Sequence, residues 1–176
     1  MKDEHYYYLR NTYSQLLKHS SIECDDGWFN ILDKLCGNIQ SYISGRRKAR
    51  AQSIKWNRNL LKAINDNSLE SFAEKVYSNF KSPYKEDRIK ELLDDPEKFL
   101  KDVPDKIHKA EVTQIKEKFA TLRFYIDSSD PYINGLIQMA ESMTETTCAV
   151  CGNLGKIRGD HWIYVSCEEH KRDKEI

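Results

Sequence analysis

The feature that most constrains this chain is a pair of short ligand motifs near its C-terminus, Cys148-x-x-Cys151 and Cys167-x-x-His170. Each motif offers two metal-binding side chains from one tight turn, and fifteen residues lie between the second and third cysteines. Three thiolates and an imidazole at this spacing can close a tetrahedron around one zinc ion. Because four protein ligands leave no open position, the motifs predict a structural Zn²⁺ rather than a catalytic one.

The remaining cysteines bear on the redox environment. Cys24 and Cys36 lie outside the two motifs, and the total of five is odd. This pattern, together with an N-terminus that lacks the pattern of a signal peptide, predicts a reducing, cytoplasmic compartment. No apolar run approaches the roughly 18 residues of a membrane span. The alternative to zinc is that the cysteines pack unligated in a small core.

Charge gives no indication of a polyanionic partner for the molecule as a whole, because 28 Lys and Arg balance 28 Asp and Glu. One stretch, 46–64, is strongly basic and contains no acidic residue. A basic surface of this kind can bind phosphate or an acidic protein, and the alternative is a solvated helix face. The candidate nucleic-acid or partner-binding residues are Arg46, Arg47, Lys48, Arg50, Lys55, Trp56, Arg58 and Lys62.

Apolar periodicity predicts helices over most of the first two thirds of the chain. We expect a first helix over 5–18 and a second, clearer one that opens at Trp28 and stops at Gly45. The region 46–108 is interpreted as a helical excursion that presents the recognition surface.

An acidic cluster formed by Glu23, Asp25 and Asp26 precedes the second helix. We expect Asp25 or Asp26 to cap that helix, because a carboxylate can accept hydrogen bonds from its free amides. The alternative is that the three carboxylates hold a divalent cation.

The pattern changes to strands after Ala110. Residues 112–119 and 122–126 predict an antiparallel hairpin, Asp130-Pro131 opens a further helix, and two short strands lie between the ligand motifs. The predicted fold is therefore α+β: a mostly helical single domain with a small antiparallel sheet. Its body spans 1–147, and a zinc-ribbon or treble-clef-like knuckle over 148–176 packs on it.

Several motifs in combination resemble a group of uncharacterised small proteins of bacteriophages and bacteria. They are Asp26-Gly-Trp-Phe29, Gln114-Ile-Lys-Glu-Lys-Phe119, Leu122-Arg-Phe-Tyr125, Met139-Ala-Glu-Ser142 and Cys148-x-x-Cys151-Gly. In that group glycine follows the Lys-Phe pair, where this chain has Ala120. The resemblance implies a phage or bacterial setting and no assigned activity, and by association it favours a host-interaction or anti-defence role.

The common catalytic templates are absent, since the sequence has no H-E-x-x-H, G-x-S-x-G, P-loop or G-x-G-x-x-G motif. Asp160-His161 beside the ligand motifs superficially resembles an HNH-type metal-dependent nuclease. Only five residues separate His161 from Cys167, which is too short for the rest of such a motif. A surface hairpin position is the simpler interpretation of His161.

The sequence therefore favours a non-enzymatic, zinc-stabilised protein-interaction module, such as an inhibitor, immunity or anti-defence protein that binds a host protein. The first alternative is a nucleic-acid-binding zinc protein that uses 46–62. The second is the HNH-like nuclease.

Overall fold

The computed structural model describes residues 1–172. The chain forms two compact units, one built from Met1–Ile43 with His108–Ile176 and the other from Ser44–Ile107. Among the described residues, no helix has both the length and the apolar character needed to span a bilayer.

The helices and strands are largely segregated along the chain, as expected of an α+β protein. In chain order they are α1 (Asp3–Thr12), β1 (Ser21–Glu23), a 3₁₀ helix (Asp26–Trp28), α2 (Phe29–Asn65), α3 (Leu69–Val76), α4 (Lys85–Asp94), a second 3₁₀ helix (Pro96–Phe99), β2 (Val112–Lys118), β3 (Thr121–Ile126), α5 (Pro131–Thr144), β4 (Lys156–Arg158) and β5 (Tyr164–Ser166). The predicted fold class is confirmed.

The main sheet of the first unit is mixed rather than antiparallel. Strands β2 and β3 form the predicted hairpin, but β1 adds to the other side of β2 in parallel, with Ile22 opposite Ile115. Three residues are too few to give β1 a readable alternation. The hairpin turn places Phe119 and Ala120 at φ values of 53° and 64°, in the left-handed region that favours glycine.

Helix α5 covers the outer edge of this sheet. The Leu122 amide donates to Thr144 Oγ1 at 3.0 Å, and the Phe124 amide donates to Glu141 Oε1 at 3.0 Å. These side chains satisfy backbone donors that have no neighbouring strand, so the edge is blocked against further pairing. The largest fully buried side chains of this core include Trp28, Leu32, Ile39, Ile115, Leu122 and Ile133.

Two predicted helix ends are wrong. Helix α1 stops at Thr12 because the chain turns at Tyr13, whose hydroxyl donates to Asp33 Oδ1 at 2.7 Å and whose ring is buried. Helix α2 continues through Gly45 to Asn65. A helix-interior glycine costs only about 1 kcal/mol relative to alanine, which the helix-forming residues on both sides can offset.

In the second unit, side chains of α2 form hydrogen bonds with the backbone of the irregular segment 99–104. Trp56 Nε1 donates to the Phe99 carbonyl at 2.7 Å, and the Arg50 guanidinium donates to the Pro104 carbonyl at 2.6 Å. The Asn57 amide bonds both backbone groups of Lys101 at 2.8 Å. These contacts hold 99–104, which is poor in regular structure, along the side of α2.

Candidate metal centre

The structure brings all four predicted ligands together. The ligand atoms of Cys148, Cys151, Cys167 and His170 lie within 4.8 Å of one another. Cys151 Sγ lies 3.7 Å from Cys167 Sγ, and His170 Nδ1 lies 3.2 Å from Cys167 Sγ and 3.9 Å from Cys148 Sγ. Four such atoms around one centre can hold a metal ion, and the imidazole would bind it through Nδ1.

The first ligand turn is shaped by its own backbone. The Gly152 amide donates to the Cys148 carbonyl at 2.9 Å, and the Cys148 amide donates to the Asn153 carbonyl at 2.8 Å. Gly152 has φ +79°, which residues with a Cβ rarely adopt. The turn therefore returns on itself, so that both cysteines of the first motif point to one side.

The second ligand pair follows β5, which pairs with β4 in a short hairpin. The Ala149 amide donates to the Val165 carbonyl at 3.1 Å and ties the first turn to β5. Arg158 extends from β4 to Glu168, where its Nη2 donates to Oε1 at 2.7 Å. Because Glu168 lies between Cys167 and His170 in sequence, this ion pair restrains the second ligand turn.

The start of α2 is packed directly against the first ligand turn. The Gly27 amide donates to the Ala149 carbonyl at 2.7 Å, and Trp28 Nε1 donates to the Thr147 carbonyl at 2.9 Å. Trp28 is fully buried. The sequence did not indicate this role for Gly27, because the contact joins residues more than a hundred positions apart.

The electrostatics of the cluster favour a thiolate at its buried member. Burial raises the pKa of the Cys148 thiol, but hydrogen bonds from the backbone amides of Cys167, Cys151 and Val150 outweigh burial and lower the pKa to about 7. At Cys151 the Asn153 amide lowers the pKa, but burial and the neighbouring sulfurs raise it by more. One thiolate is thus stabilised by the protein, whereas three adjacent thiolates require a cation.

The residues considered for other metal chemistry lie elsewhere. Asp160 and His161 occupy the exposed tip of the β4–β5 hairpin and are not part of the cluster. The predicted capping of the second helix by Asp25 or Asp26 is wrong, since the side chain of Asp25 makes no capping hydrogen bond at the 3₁₀ helix that opens it. Asp26 instead turns to α1, where its Oδ1 accepts from the Lys2 amide at 3.0 Å and lies 2.7 Å from His5 Nδ1.

The basic residues predicted for partner or nucleic-acid binding separate into two sets. Arg50 and Trp56 serve the second unit itself through the backbone bonds described above, and Arg46 is half-buried. Arg47, Lys48, Lys55, Arg58 and Lys62 are exposed. The second set is free to meet a ligand.

A groove between α2 and α5 in the first unit was not predicted. It has a volume of about 190 Å³ and is lined by Asn30, Ile31, Lys34, Leu35, Asn38, Leu136, Met139, Ala140 and Met143. We call this set the α2/α5 groove. Its signal in the sequence is a second apolar row on α5, since Leu136, Met139 and Met143 recur at three- and four-residue spacing beside the buried row of Ile133, Ile137 and Ala140.

The Cys/His cluster can bind one metal ion and fold the surrounding turns around it. With four protein ligands, such a site would offer no position to a substrate or a reactive water. No family model, curated protein or solved structure matches this chain.

Proposed function

We propose that this protein is a non-enzymatic, zinc-stabilised module that binds another protein through the α2/α5 groove. The observation that carries the proposal is the groove itself, an apolar surface on a helix whose inward face is already buried in the core. Helix α5 therefore carries apolar side chains outside the face that it buries in the core, and exposed apolar surfaces of this kind mark interaction sites.

Zinc is the metal that best suits the cluster. Tetrahedral zinc has Zn–S bonds of about 2.3 Å, which places neighbouring sulfurs about 3.8 Å apart. The Cys151–Cys167 separation of 3.7 Å agrees with that value. Soft thiolate ligands also disfavour magnesium and calcium, which take oxygen. The metal would stabilise the fold, and the groove would provide the activity.

The size of the groove favours a protein side chain over a small molecule. Its 190 Å³ is below the roughly 300–1,000 Å³ of typical small-molecule sites, and its lining offers few polar groups to orient a ligand. Met139 and Met143 are 57% and 48% exposed along its edge. Methionine adapts to varied apolar partners, and covering both side chains would contribute about 2 kcal/mol or more.

The occupant we propose is an amphipathic helix of the partner. Side chains of α2 and α5 line the groove, and apolar residues at i, i+3 and i+4 spacing on a partner helix can insert between them. Lys34 on the rim is 83% exposed at its side chain, lies 3.7 Å from Asp33 Oδ2, and can exchange that exposed ion pair for a carboxylate of the partner. The resemblance to phage and bacterial proteins supports a host protein in the bacterial cytoplasm as that partner, with an inhibitory, immunity or anti-defence outcome.

The test is affinity purification from a bacterial lysate, with nuclease treatment, of the wild type and of Met139→Lys/Met143→Lys. Both side chains are exposed, so the double variant should fold while losing the partner. The matched control is Phe80→Lys/Tyr84→Lys, which changes two side chains of similar exposure, 45% and 67%, in the other unit. Retention of the same partner by the groove variant would reject the proposal, as would equal loss in the control.

A further inference from the structure

We propose that the exposed basic residues of α2 form a second binding site, for the phosphodiester backbone of nucleic acid. The site consists of Arg47, Lys48, Lys55, Arg58 and Lys62, which we call the basic face. It uses no residue of the α2/α5 groove, so its test succeeds or fails independently of the proposed function.

The basic face is a continuous strip on one side of a helix. At 100° and 1.5 Å per residue, its five side chains fall within about 100° of the circumference and extend over about 22 Å. No acidic residue occurs between 44 and 65. Glu or Asp at three- or four-residue spacing would neutralise such a strip, as happens on ordinary solvated helices. Only Lys62 has such a neighbour, Asp66 four residues further on, so the four turns of the strip itself carry one sign.

The charges of the basic face are also unpaired in three dimensions. Within residues 1–172, none of its five members lies in an ion pair, although cations elsewhere in the chain, such as Arg88 and Arg158, do. An unpaired cation keeps its full potential for an external anion. Five such cations in line can each neutralise a phosphate.

The linear arrangement favours nucleic acid over an acidic protein. One strand of duplex DNA carries a phosphate every 3.4 Å along the axis, or about six over the length of the basic face. An acidic protein surface would need carboxylates at matching intervals over the same distance. Gln52 and Asn59 flank the strip at a seven-residue spacing, are exposed and can donate to phosphate oxygens.

The structure further indicates that binding is to the backbone and not by base stacking. Trp56, the one aromatic residue within the basic stretch, has its indole N–H committed to Phe99 and its ring covered by Lys101 at 4.6 Å. It also packs edge-to-face with Phe72. An indole held in this way cannot accept a stacked base, so the site should show little sequence preference.

The experiment is fluorescence anisotropy with the full-length protein and a labelled DNA duplex of about 30 base pairs, between about 50 and about 200 mM NaCl. Five phosphate contacts predict a slope of log K against log salt of about −4.5. The variant Arg47→Gln/Lys55→Gln/Arg58→Gln should reduce that slope to about −2 and weaken binding at the lowest salt by at least about tenfold.

The matched control is Lys81→Gln/Lys90→Gln/Lys98→Gln, which removes the same charge from exposed positions of the same unit. It should bind within about twofold of the wild type, since its lysines lie outside the basic face. Equal weakening in both variants would overturn the proposal, because the attraction would then be general. So would the absence of binding at the lowest salt, or displacement of the duplex by polyglutamate at equal charge.

Discussion

Gly27 and Cys148 lie so close that a Cβ on Gly27 would overlap the carbonyl oxygen of Cys148. The same Cβ would come within 2.5 Å of the Gly152 amide nitrogen. All the neighbouring atoms belong to the backbone of the first ligand turn, which cannot rotate away as a side chain can. The entrance to α2 and the metal-binding turn are therefore fitted to each other at backbone distance.

Replacement of Gly27 by alanine is expected to lower the free energy of unfolding by about 2–3 kcal/mol, because the turn must shift to admit the methyl group. Urea denaturation of the metal-loaded protein measures this change. The control is Gly45→Ala, where nothing lies within 4 Å of the new Cβ. That substitution should stabilise the protein by up to about 1 kcal/mol through helix propensity. If Gly27→Ala and Gly45→Ala changed the free energy of unfolding by the same amount, the proposed backbone contact at Gly27 would be refuted.

Removal of the metal should destabilise the fold. At a free zinc concentration about a thousandfold above the dissociation constant, binding would add about 4 kcal/mol to the free energy of unfolding. Excess chelator should therefore lower the melting temperature by about 10 °C. Cys148→Ser should contain less than one zinc per chain and lose the chelator effect. Cys36→Ala, a buried cysteine outside the cluster, should keep both. A melt that chelation leaves unchanged would disprove a structural metal.

The contact between Asp26 and α1 should affect how the free energy of unfolding depends on pH in the acid range. Burial raises the pKa of Asp26, but the Lys2 amide and His5 outweigh burial and lower the pKa below its ordinary 3.8. A lowered folded-state pKa means that the ionised group stabilises the protein above about pH 4 and loses that contribution as the pH falls further.

Asp26→Asn should therefore cost about 1 kcal/mol at neutral pH, and the difference from wild type should narrow below about pH 4. Thermal denaturation of both proteins at a series of pH values measures the difference. The exposed Asp25 provides the control, since Asp25→Asn should follow the wild-type curve. A gap that stays constant to low pH would show that the carboxylate charge is not involved.

A substitution in the β2–β3 turn should raise the stability of the protein. Phe119 is 68% exposed and has φ +53°, a conformation that asparagine tolerates better than a bulky aromatic residue. Phe119→Asn is expected to raise the free energy of unfolding by about 1 kcal/mol, measured by urea denaturation. Phe80→Asn, at an exposed position that is not among the residues of positive φ, should give no such gain.

The metal ligands could be predicted because their spacing is a local property of the chain. Cys148 and Cys151 share one turn, and Cys167 and His170 share another, so only two turns had to be brought together. The same reasoning could not find the parallel pairing of Ile22 with Ile115, since no local pattern encodes a partner so distant in sequence.

Helix α2 shows the opposite case, in which a local signal was misleading. Gly45 favours a helix stop, but a preference of about 1 kcal/mol is smaller than the combined contribution of the residues that continue the helix on either side. The α2/α5 groove was missed for a related reason. Leu136 and Met143 repeat at the same helical spacing as the buried residues of α5, so periodicity alone does not separate the two apolar rows, which face different surroundings.

The first unit is discontinuous in sequence, because all of Ser44–Ile107 intervenes between its two parts. The entropy of closing such a loop depends only logarithmically on its length, so a fourfold change in length alters the closure free energy by only about 1 kcal/mol. The first unit could therefore tolerate intervening segments of very different size. Insertions and deletions in that segment would therefore add little closure free energy to the folding of the Cys/His cluster and its core.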